Sequence, residues 1–312
     1  MTRYSRIRQL LSALALFFVA IAPAKADIDT LRFGVSPWPG VTVKTEIASQ
    51  LLQALGYRTQ KNELAVSVII NALSNDQLDV YLGNWYPVQE EMTRPHLDEG
   101  TLVQVAKNIS DAESGLVVPQ YVHEAGVDSV ADLNRYRDRF NAEIQGIEAG
   151  TGINDAILAA IDNNRAGLGD WQLNESSTAA MLALAQQKIS NREWITFVGW
   201  EPHWMNVSYD LYYLKDADDS GIASITSTVW TLARRGLEAE APNLYRFLSQ
   251  YRVAIEDQND WVYEYNYRER PADEVASEWI RNHPDTVAQW LDGVTSRSGE
   301  AAIDVVREKM MD

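Results

Sequence analysis

The sequence predicts an α/β protein of two lobes. Short β-rich runs alternate with amphipathic helical runs, an order typical of open, largely parallel sheets covered by helices. With 312 residues the chain is long enough for two domains of moderate size. It carries no internal repeat and no low-complexity linker, so we expect it to cross between the lobes on extended segments, near 112–116 and 208–215. In this division lobe I comprises 27–114 plus 212–312, and lobe II comprises 115–211.

Short β-rich runs predict the strands. The fourth of them ends at Pro119, because proline has no N–H to continue a ladder. Ligands of open α/β sheets gather at the loops beyond the carboxyl ends of the strands. The predicted strands cover residues 31–35, 64–70, 79–82, 115–118, 144–147, 194–198 and 209–214.

Apolar spacing and capping residues predict the helices. Apolar residues recur at every fourth position from Val43 to Leu55, which predicts a helix over 42–55 that ends at Gly56. Ser176-Ser177-Thr178 predicts the cap of a helix that continues through Gln187. Beyond about residue 220 we expect mostly helix. The other predicted helices cover residues 154–162, 244–251, 272–282 and 286–291.

Residues 1–26 have the features of a secretory signal peptide. Arginines at the start precede a nearly apolar run over 10–23 and the small-x-small site Ala24-Lys25-Ala26. We therefore expect cleavage after Ala26 and export, with an uncleaved anchor as the alternative. The chain contains no cysteine, so disulfides and a lipid-modified N-terminal cysteine are excluded.

The charge balance excludes some partners. The formal net charge is −17 at pH 7, and the predicted signal peptide holds four basic residues and no acidic one. Its removal would take the net charge to about −21. A surface with this much negative charge repels nucleic acid and anionic membranes. We therefore predict no nucleic-acid partner.

Motifs for catalysis and metal binding are missing from the sequence. The four histidines form neither HxH nor HExxH, and neither GxSxG nor a phosphate-binding glycine motif occurs. Residues 216–221 resemble half a calcium loop, but Ser227 stands where the bidentate acid should be. We therefore predict no metal, no cofactor and no enzymatic activity.

Three tryptophans share an unusual context, because each lies among glycines and prolines just after an apolar run. These residues hold the backbone in turns and push the indole out of the regular element. Three indoles presented in this way could form a box for a quaternary ammonium cation; ordinary packing in the core is the alternative. The stretches are Ser36-Pro37-Trp38-Pro39-Gly40, Gly83-Asn84-Trp85-Tyr86-Pro87 and Gly199-Trp200-Glu201-Pro202-His203-Trp204.

These stretches are similar to those of the periplasmic choline- and glycine-betaine-binding proteins of ABC importers. The resemblance extends from about residue 31 to the end and includes Gly146-Ile147-Glu148-x-Gly150-x-x-x-Asn154. It implies a two-lobed type II periplasmic binding protein fold with hinge crossovers, a periplasmic location and a monomer. It also implies a ligand such as glycine betaine, choline or carnitine, and docking to the membrane permease of an ABC importer.

The resemblance assigns roles to four residues. Trp38, Trp85 and Trp200 fall on the cation-box tryptophans of the family, and Asn154 falls on a polar residue that reaches the ligand hydroxyl in choline binders. Trp38 and Trp85 would belong to lobe I, and Trp200 and Asn154 to lobe II. Closure of the lobes on a ligand would therefore complete the box.

Two departures from choline binders bear on the ligand. Gly40 stands where they carry an aspartate, and Ser114 aligns with the tyrosine that forms their fourth wall. Loss of the acid favours a ligand with its own negative end, such as glycine betaine or carnitine. Glu113 offers an alternative: when protonated, it could donate a hydrogen bond to the oxygen of trimethylamine N-oxide. An exposed acid on the hinge side is the other interpretation.

The turn Gly150-Thr151-Gly152 opens a helix at about Ile153. The free N–H groups of such a turn suit a carboxylate, although an ordinary glycine-rich helix start has the same sequence. Two other functions stay open at this point. One is an exported α/β enzyme acting on a small cationic or sugar substrate, and the other is a binding module that reports to a membrane sensor.

Overall fold

The computed structural model describes residues 28–216 and 220–311. The predicted signal peptide and its cleavage site lie outside the described residues. Within the two described ranges, no helix is long and apolar enough to cross a membrane.

The chain alternates strands and helices until its helical C-terminal region. The strands are β1 (Thr30–Val35), β2 (Arg58–Glu63), β3 (Val80–Tyr86), β4 (Leu102–Pro119), β5 (Glu143–Gln145), β6 (Gln172–Asn174), β7 (Phe197–Glu201), β8 (Leu211–Tyr213) and β9 (Ile225–Arg234). The helices are α1 (Pro39–Ala54), α2 (Val66–Ser74), α3 (Glu90–Asp98), α4 (Gln120–His123), α5 (Val130–Arg135), α6 (Gly152–Asp162), α7 (Thr178–Ser190), α8 (Met205–Ser208), α9 (Leu237–Glu240), α10 (Pro242–Gln250), α11 (Ile255–Val262), α12 (Ala272–Asn282), α13 (Pro284–Trp290) and α14 (Ala302–Val306). A π-helical segment, Tyr263–Tyr267, follows α11.

One continuous sheet runs through both lobes, in the order β2-β1-β3-β9-β4-β7-β5-β6, with β8 also paired to β4. The two halves of the sheet have the same strand arrangement: β2-β1-β3-β9-β4 in the first half and β6-β5-β7-β4-β8 in the second. In each half the fourth strand is the one that arrives from the other half. The pairs that β1 makes with β2 and β3, and those that β5 makes with β6 and β7, are parallel. The pairs made by β4 and β9 are antiparallel, so the sheets are less parallel than the alternation of elements predicts.

Two long strands carry the chain between the lobes. β4 is 18 residues long, and at Glu113 it pairs with both Thr226 of β9 and Glu201 of β7. This change of partner falls within 112–116, where the sequence predicts the first crossing. The two-lobed α/β fold with crossover strands is confirmed.

The return crossing differs from the expectation of 208–215. β8 pairs with the last residues of β4, and Leu214, Ile222 and Ala223 are buried in the second hydrophobic core. The chain therefore stays in the second lobe beyond residue 212. We place the return at the start of β9, because β9 is the strand that joins β3 to β4.

Two hydrophobic cores correspond to the two lobes. The first contains the buried faces of α1, β1 and β3 together with most of the C-terminal helices. The second contains the end of β4, with β5, β7 and the buried faces of α6 and α7. Trp38, Val88 and Trp200 pack against both cores, so these three residues mark the boundary where the lobes meet.

Some segments have a different secondary structure from the one that the sequence predicts. Residues 64–70 lie mostly in α2, because Val66, Ile69, Ile70 and Leu73 form a buried face at helical spacing. The strand of this unit is the preceding β2, a polar run at the sheet edge that shows no apolar pattern. β9 lies in the region predicted to be mostly helical.

Candidate functional site

A pocket lies at the boundary between the two cores. It contains about 430 Å³ of empty space, counted with its opening to solvent. Every lining residue is uncharged. The lining residues are Trp38, Trp85, Val88, Gln89, Ser114, Ile147, Thr151, Gly152, Ile153, Val198, Gly199 and Trp200.

The structure brings the three predicted tryptophans together around this pocket. Trp38 occupies the N-cap position of α1, and Pro39 at the first helical position fixes its place. Trp85 and Trp200 lie near the ends of β3 and β7, the third strands of the two halves. All three indoles were expected outside regular elements. This holds for Trp38 alone, because Trp85 pairs with Val229 and Trp200 with Ser114 in the sheet.

The Trp38 indole is tied to the opposite lobe. Its Nε1–H donates a hydrogen bond to Glu148 Oε2 over 3.3 Å. The same carboxylate accepts hydrogen bonds from the backbone N–H and the hydroxyl of Thr178, over 2.7 and 3.0 Å. Glu148 thus accepts hydrogen bonds from the edge of the Trp38 ring and from the start of α7, although it does not line the pocket.

The start of α6 contributes Thr151, Gly152 and Ile153 to the pocket lining. Thr151 is the N-cap residue, and α6 begins at Gly152, one residue before the expected start. The Thr151 hydroxyl oxygen is buried and has no hydrogen-bond partner among the described residues. Because the first N–H groups of a helix have no partner within it, this end of the pocket suits an anionic group.

Asn154, expected from the resemblance to contact the ligand, is not among the residues that line the pocket. The residue is fully buried, and its amide holds the preceding loop. It donates to the carbonyl oxygens of Ile147 and Glu148 and to Glu175, and it accepts from the Ile147 N–H. With its donors and its acceptor already used, Asn154 shapes the loop that carries Glu148.

Glu113 is also absent from the lining. Neighbouring side chains of a strand point to opposite faces, and Ser114 is the one that faces the pocket. The Glu113 carboxylate accepts a hydrogen bond from the Ser224 hydroxyl instead. The proposed contact between Glu113 and an amine oxide therefore has no support in this geometry. Gly150 likewise lies outside the lining, with a positive φ of 74° that suits its turn.

The positions that depart from choline binders have neutral neighbours. The Ser114 hydroxyl lies 2.9 Å from the Ser227 hydroxyl. A Cβ at position 40 would lie 2.3 Å from Gln258 Nε2, so the buried Gln258 amide fills the space beside Gly40. Neither position supplies a charge.

Several lining residues were not predicted from the sequence. Gln89 is the polar one among them; it is buried and accepts a hydrogen bond from Asn84 Nδ2 over 3.0 Å. Its place in the loop after the third strand was an available signal. Val88, Ile153 and Val198 had none, because apolar side chains at a cleft cannot be distinguished by sequence from those of a core.

His203 supports Trp200 from behind. Its ring meets the indole edge to face with centroids 4.9 Å apart, and Nδ1 lies 3.2 Å from the Met205 N–H. Complete burial lowers the pKa of His203 to about 3, so the imidazole is neutral at physiological pH. A neutral ring adds no repulsion for a cation near Trp200.

Two cores joined by long crossing strands, with a pocket between them, define a two-lobed solute-binding protein. The chain belongs to the family described as the substrate binding domain of ABC-type glycine betaine transport systems, which matches residues 29–282. The proteins of this family are transport substrate-binding proteins.

Relatives and solved structures agree with this membership. The chain is 35% identical over 176 residues to the glycine betaine/carnitine transport binding protein GbuC of Listeria monocytogenes, covering 56% of this chain and 57% of that protein. It is 38% identical over 144 residues to an uncharacterized protein, ORF1, of Chromohalobacter salexigens, covering 45% of this chain and 93% of ORF1.

The similar structures include two with bound ligands. A choline binding protein in complex with choline has a TM-score of 0.86 at 28% identity, covering 91% of this chain and 98% of its own. The lactococcal protein OpuAC, closed on glycine betaine, has a TM-score of 0.76 at 27% identity, covering 84% of this chain and 99% of its own.

Proposed function

We propose that this protein binds a zwitterionic quaternary ammonium compound, with glycine betaine as the first candidate, and delivers it to the permease of an ABC importer. The observation that carries the proposal is the pocket in which Trp38, Trp85 and Trp200 meet without any charged lining residue. Carnitine and proline betaine belong to the same ligand class.

The three indoles suit the trimethylammonium end. This group has no N–H to donate, whereas an indole face offers it both negative potential and apolar contact. Each desolvated face contributes about 1–2 kcal/mol, so three contribute roughly 3–6 kcal/mol. Micromolar binding requires about 8 kcal/mol. The remainder has to come from burial of the methyl groups and from the other end of the ligand.

The start of α6 suits the carboxylate end. The Thr151 hydroxyl is buried and has no partner in the described part of the chain, and it stands beside the free N–H groups of the first helical turn. A carboxylate placed there would accept hydrogen bonds that the ligand-free protein leaves unmade. Gln89, on the opposite lobe, adds a side-chain amide to the same pocket.

The uncharged lining favours zwitterions over choline. Choline carries a net positive charge, and no lining carboxylate is available to balance it. Glycine betaine brings its own carboxylate, so its burial requires no protein charge. The geometry disfavours a trimethylamine N-oxide site built on Glu113, because Glu113 does not line the pocket and its carboxylate accepts a hydrogen bond from Ser224.

Membership in the family supports a cellular role in import. An importer needs its binding protein outside the cytoplasmic membrane, which agrees with the signal peptide predicted over 1–26. We therefore propose a periplasmic, monomeric protein that docks to a membrane permease. A permease gene and an ATPase gene beside this one would support transport over sensing.

Isothermal titration calorimetry with glycine betaine, carnitine, proline betaine, trimethylamine N-oxide and choline tests the proposal. We expect the zwitterions to bind more tightly than choline, and Trp85→Ala and Trp200→Ala each to weaken the best ligand well over tenfold. Trp230→Ala is a matched control, because this half-buried indole lies on β9 away from the pocket. Unchanged affinity in both pocket variants would refute the box.

A further inference from the structure

Glu148 joins three donors that come from both lobes. Thr178 is the first residue of α7 in the second lobe, and its N–H and hydroxyl occupy both carboxylate oxygens of Glu148. The third donor is the indole N–H of Trp38, which precedes α1 of the first lobe. A carboxylate at a helix N-terminus is stabilised by the helix dipole, so the α7 contacts hold Glu148 in place for Trp38.

The loop that carries Glu148 is itself fixed. Asn154 donates to the carbonyl oxygens of Ile147 and Glu148, and the Ser176 N–H donates to the Ile147 carbonyl oxygen. The carboxylate therefore has a defined position on the second lobe before any contact with Trp38. The Trp38 indole, by contrast, is partly exposed and stands at the boundary of the two cores.

We propose that Glu148 is a positioning residue that sets the plane of the Trp38 ring from the opposite lobe. The inference rests on the proposed function, since it concerns how the same pocket binds a quaternary ammonium group. A ring held by its N–H presents one face to the pocket, whereas a free ring must be ordered when the ligand binds. The bond spans the lobes, so ligand stacking on Trp38 and closure of the lobes support each other.

A double-mutant cycle on glycine betaine affinity tests this coupling. In the wild-type background Glu148→Gln removes the charge and sets an amide N–H against the indole N–H. We expect affinity to fall about tenfold, as for the loss of a hydrogen bond to a charged group. Trp38→Phe keeps an aromatic face but has no N–H. In the W38F background, E148Q should change affinity less than about twofold.

A second bond that approaches the lobe boundary provides the control. Trp204 Nε1–H donates to Asn266 Oδ1 over 2.5 Å, away from the pocket lining. Asn266→Ala should change affinity by the same factor in the wild-type and W38F backgrounds. Should E148Q unfold the protein, Glu148→Asp, which keeps the charge and shortens the side chain, replaces it in the cycle.

The outcomes separate the inference from the proposed function. Equal losses from E148Q in both backgrounds, or no loss in the wild-type background, would overturn the role of Glu148 while leaving the pocket assignment intact. A wild-type protein that binds no quaternary ammonium compound would overturn the proposed function first.

Discussion

Gly152 of α6 packs directly against the carbonyl oxygen of Val88, and both residues line the pocket. A Cβ at position 152 would lie 1.9 Å from that oxygen, far inside any normal contact. Val88 follows β3 of the first lobe, and Gly152 opens a helix of the second. The absence of a side chain at residue 152 therefore allows the two lobes to approach as closely as they do here.

Gly152→Ala should impair closure without harming either lobe. Alanine suits the first turn of a helix better than glycine, so the melting temperature without ligand should stay the same or rise slightly. Glycine betaine affinity should fall at least about tenfold, because the methyl group meets backbone atoms that cannot move aside. Calorimetry and thermal melts measure both quantities, and unchanged affinity would show that the lobes need not come this close.

Thr151→Val should weaken binding of the carboxylate end of the ligand and leave binding of its ammonium end nearly unchanged. The substitution removes a buried hydroxyl oxygen that has no partner and changes the shape little. We expect glycine betaine to bind roughly tenfold more weakly, and choline, which has no carboxylate, to change less than about threefold. Stability without ligand should not fall, because an unsatisfied polar atom is lost. Equal losses for both ligands would argue against a carboxylate at α6.

Lys44 should make stability depend on pH. It is fully buried, its Nζ donates to Asn108 Oδ1 over 2.9 Å, and burial lowers its pKa to about 7. In the unfolded chain the ordinary lysine pKa is about 10.4. Between these values the unfolded state binds a proton that the folded state does not, so stability rises with pH, by at most about 1.4 kcal/mol per unit.

Lys44→Met tests the predicted rise of stability with pH. Urea unfolding at pH 7 and pH 9 should show a gain in stability for the wild type that is smaller in the variant, which has no amine to titrate. The comparison uses the difference between the two pH values, since Asn108 loses a partner in the variant at both. An identical gain in both proteins would place the titrating group elsewhere.

Among the ion pairs of the first lobe, those made by Asp79 should contribute most to stability. It lies at the start of β3, accepts from Arg32 and Arg234, and has a side chain that is 1% exposed. Burial alone would raise the pKa of Asp79, but the hydrogen bonds from the two arginines outweigh it and hold the pKa below its usual value. Its contribution is therefore present above about pH 4 and is lost as the pH falls through the folded pKa.

Asp79→Asn should cost about 3–5 kcal/mol of the free energy of unfolding, because two guanidinium groups lose a buried partner. Asp29→Asn is the matched control: that carboxylate also meets two arginines, Arg58 and Arg297, but at the surface. It should cost less than about 1 kcal/mol. Urea unfolding at pH 7 measures both, and similar costs would contradict the assignment.

Local patterns predicted much of the fold. The apolar spacing of α1 predicted its end to within one residue and its start three residues late. The apolar run of β3 predicted its start, but its last four residues, 83–86, were expected to form a turn. β2 was missed because its polar residues are held in the sheet only by pairing with β1. β9 was missed because its extended conformation depends on pairing with β3 and β4, which are distant in the sequence.

Local sequence patterns were enough to predict the α/β class and the three tryptophans that meet at the pocket, because glycine, proline and apolar periodicity act over a few neighbouring residues. Contacts between distant segments determine that Ser114 and not Glu113 faces the cleft, that Asn154 holds a loop, and that Glu148 reaches Trp38. These facts depend on which strand face the opposite lobe covers. That is set by contacts between residues as far apart as Trp38 and Glu148, which no local pattern records.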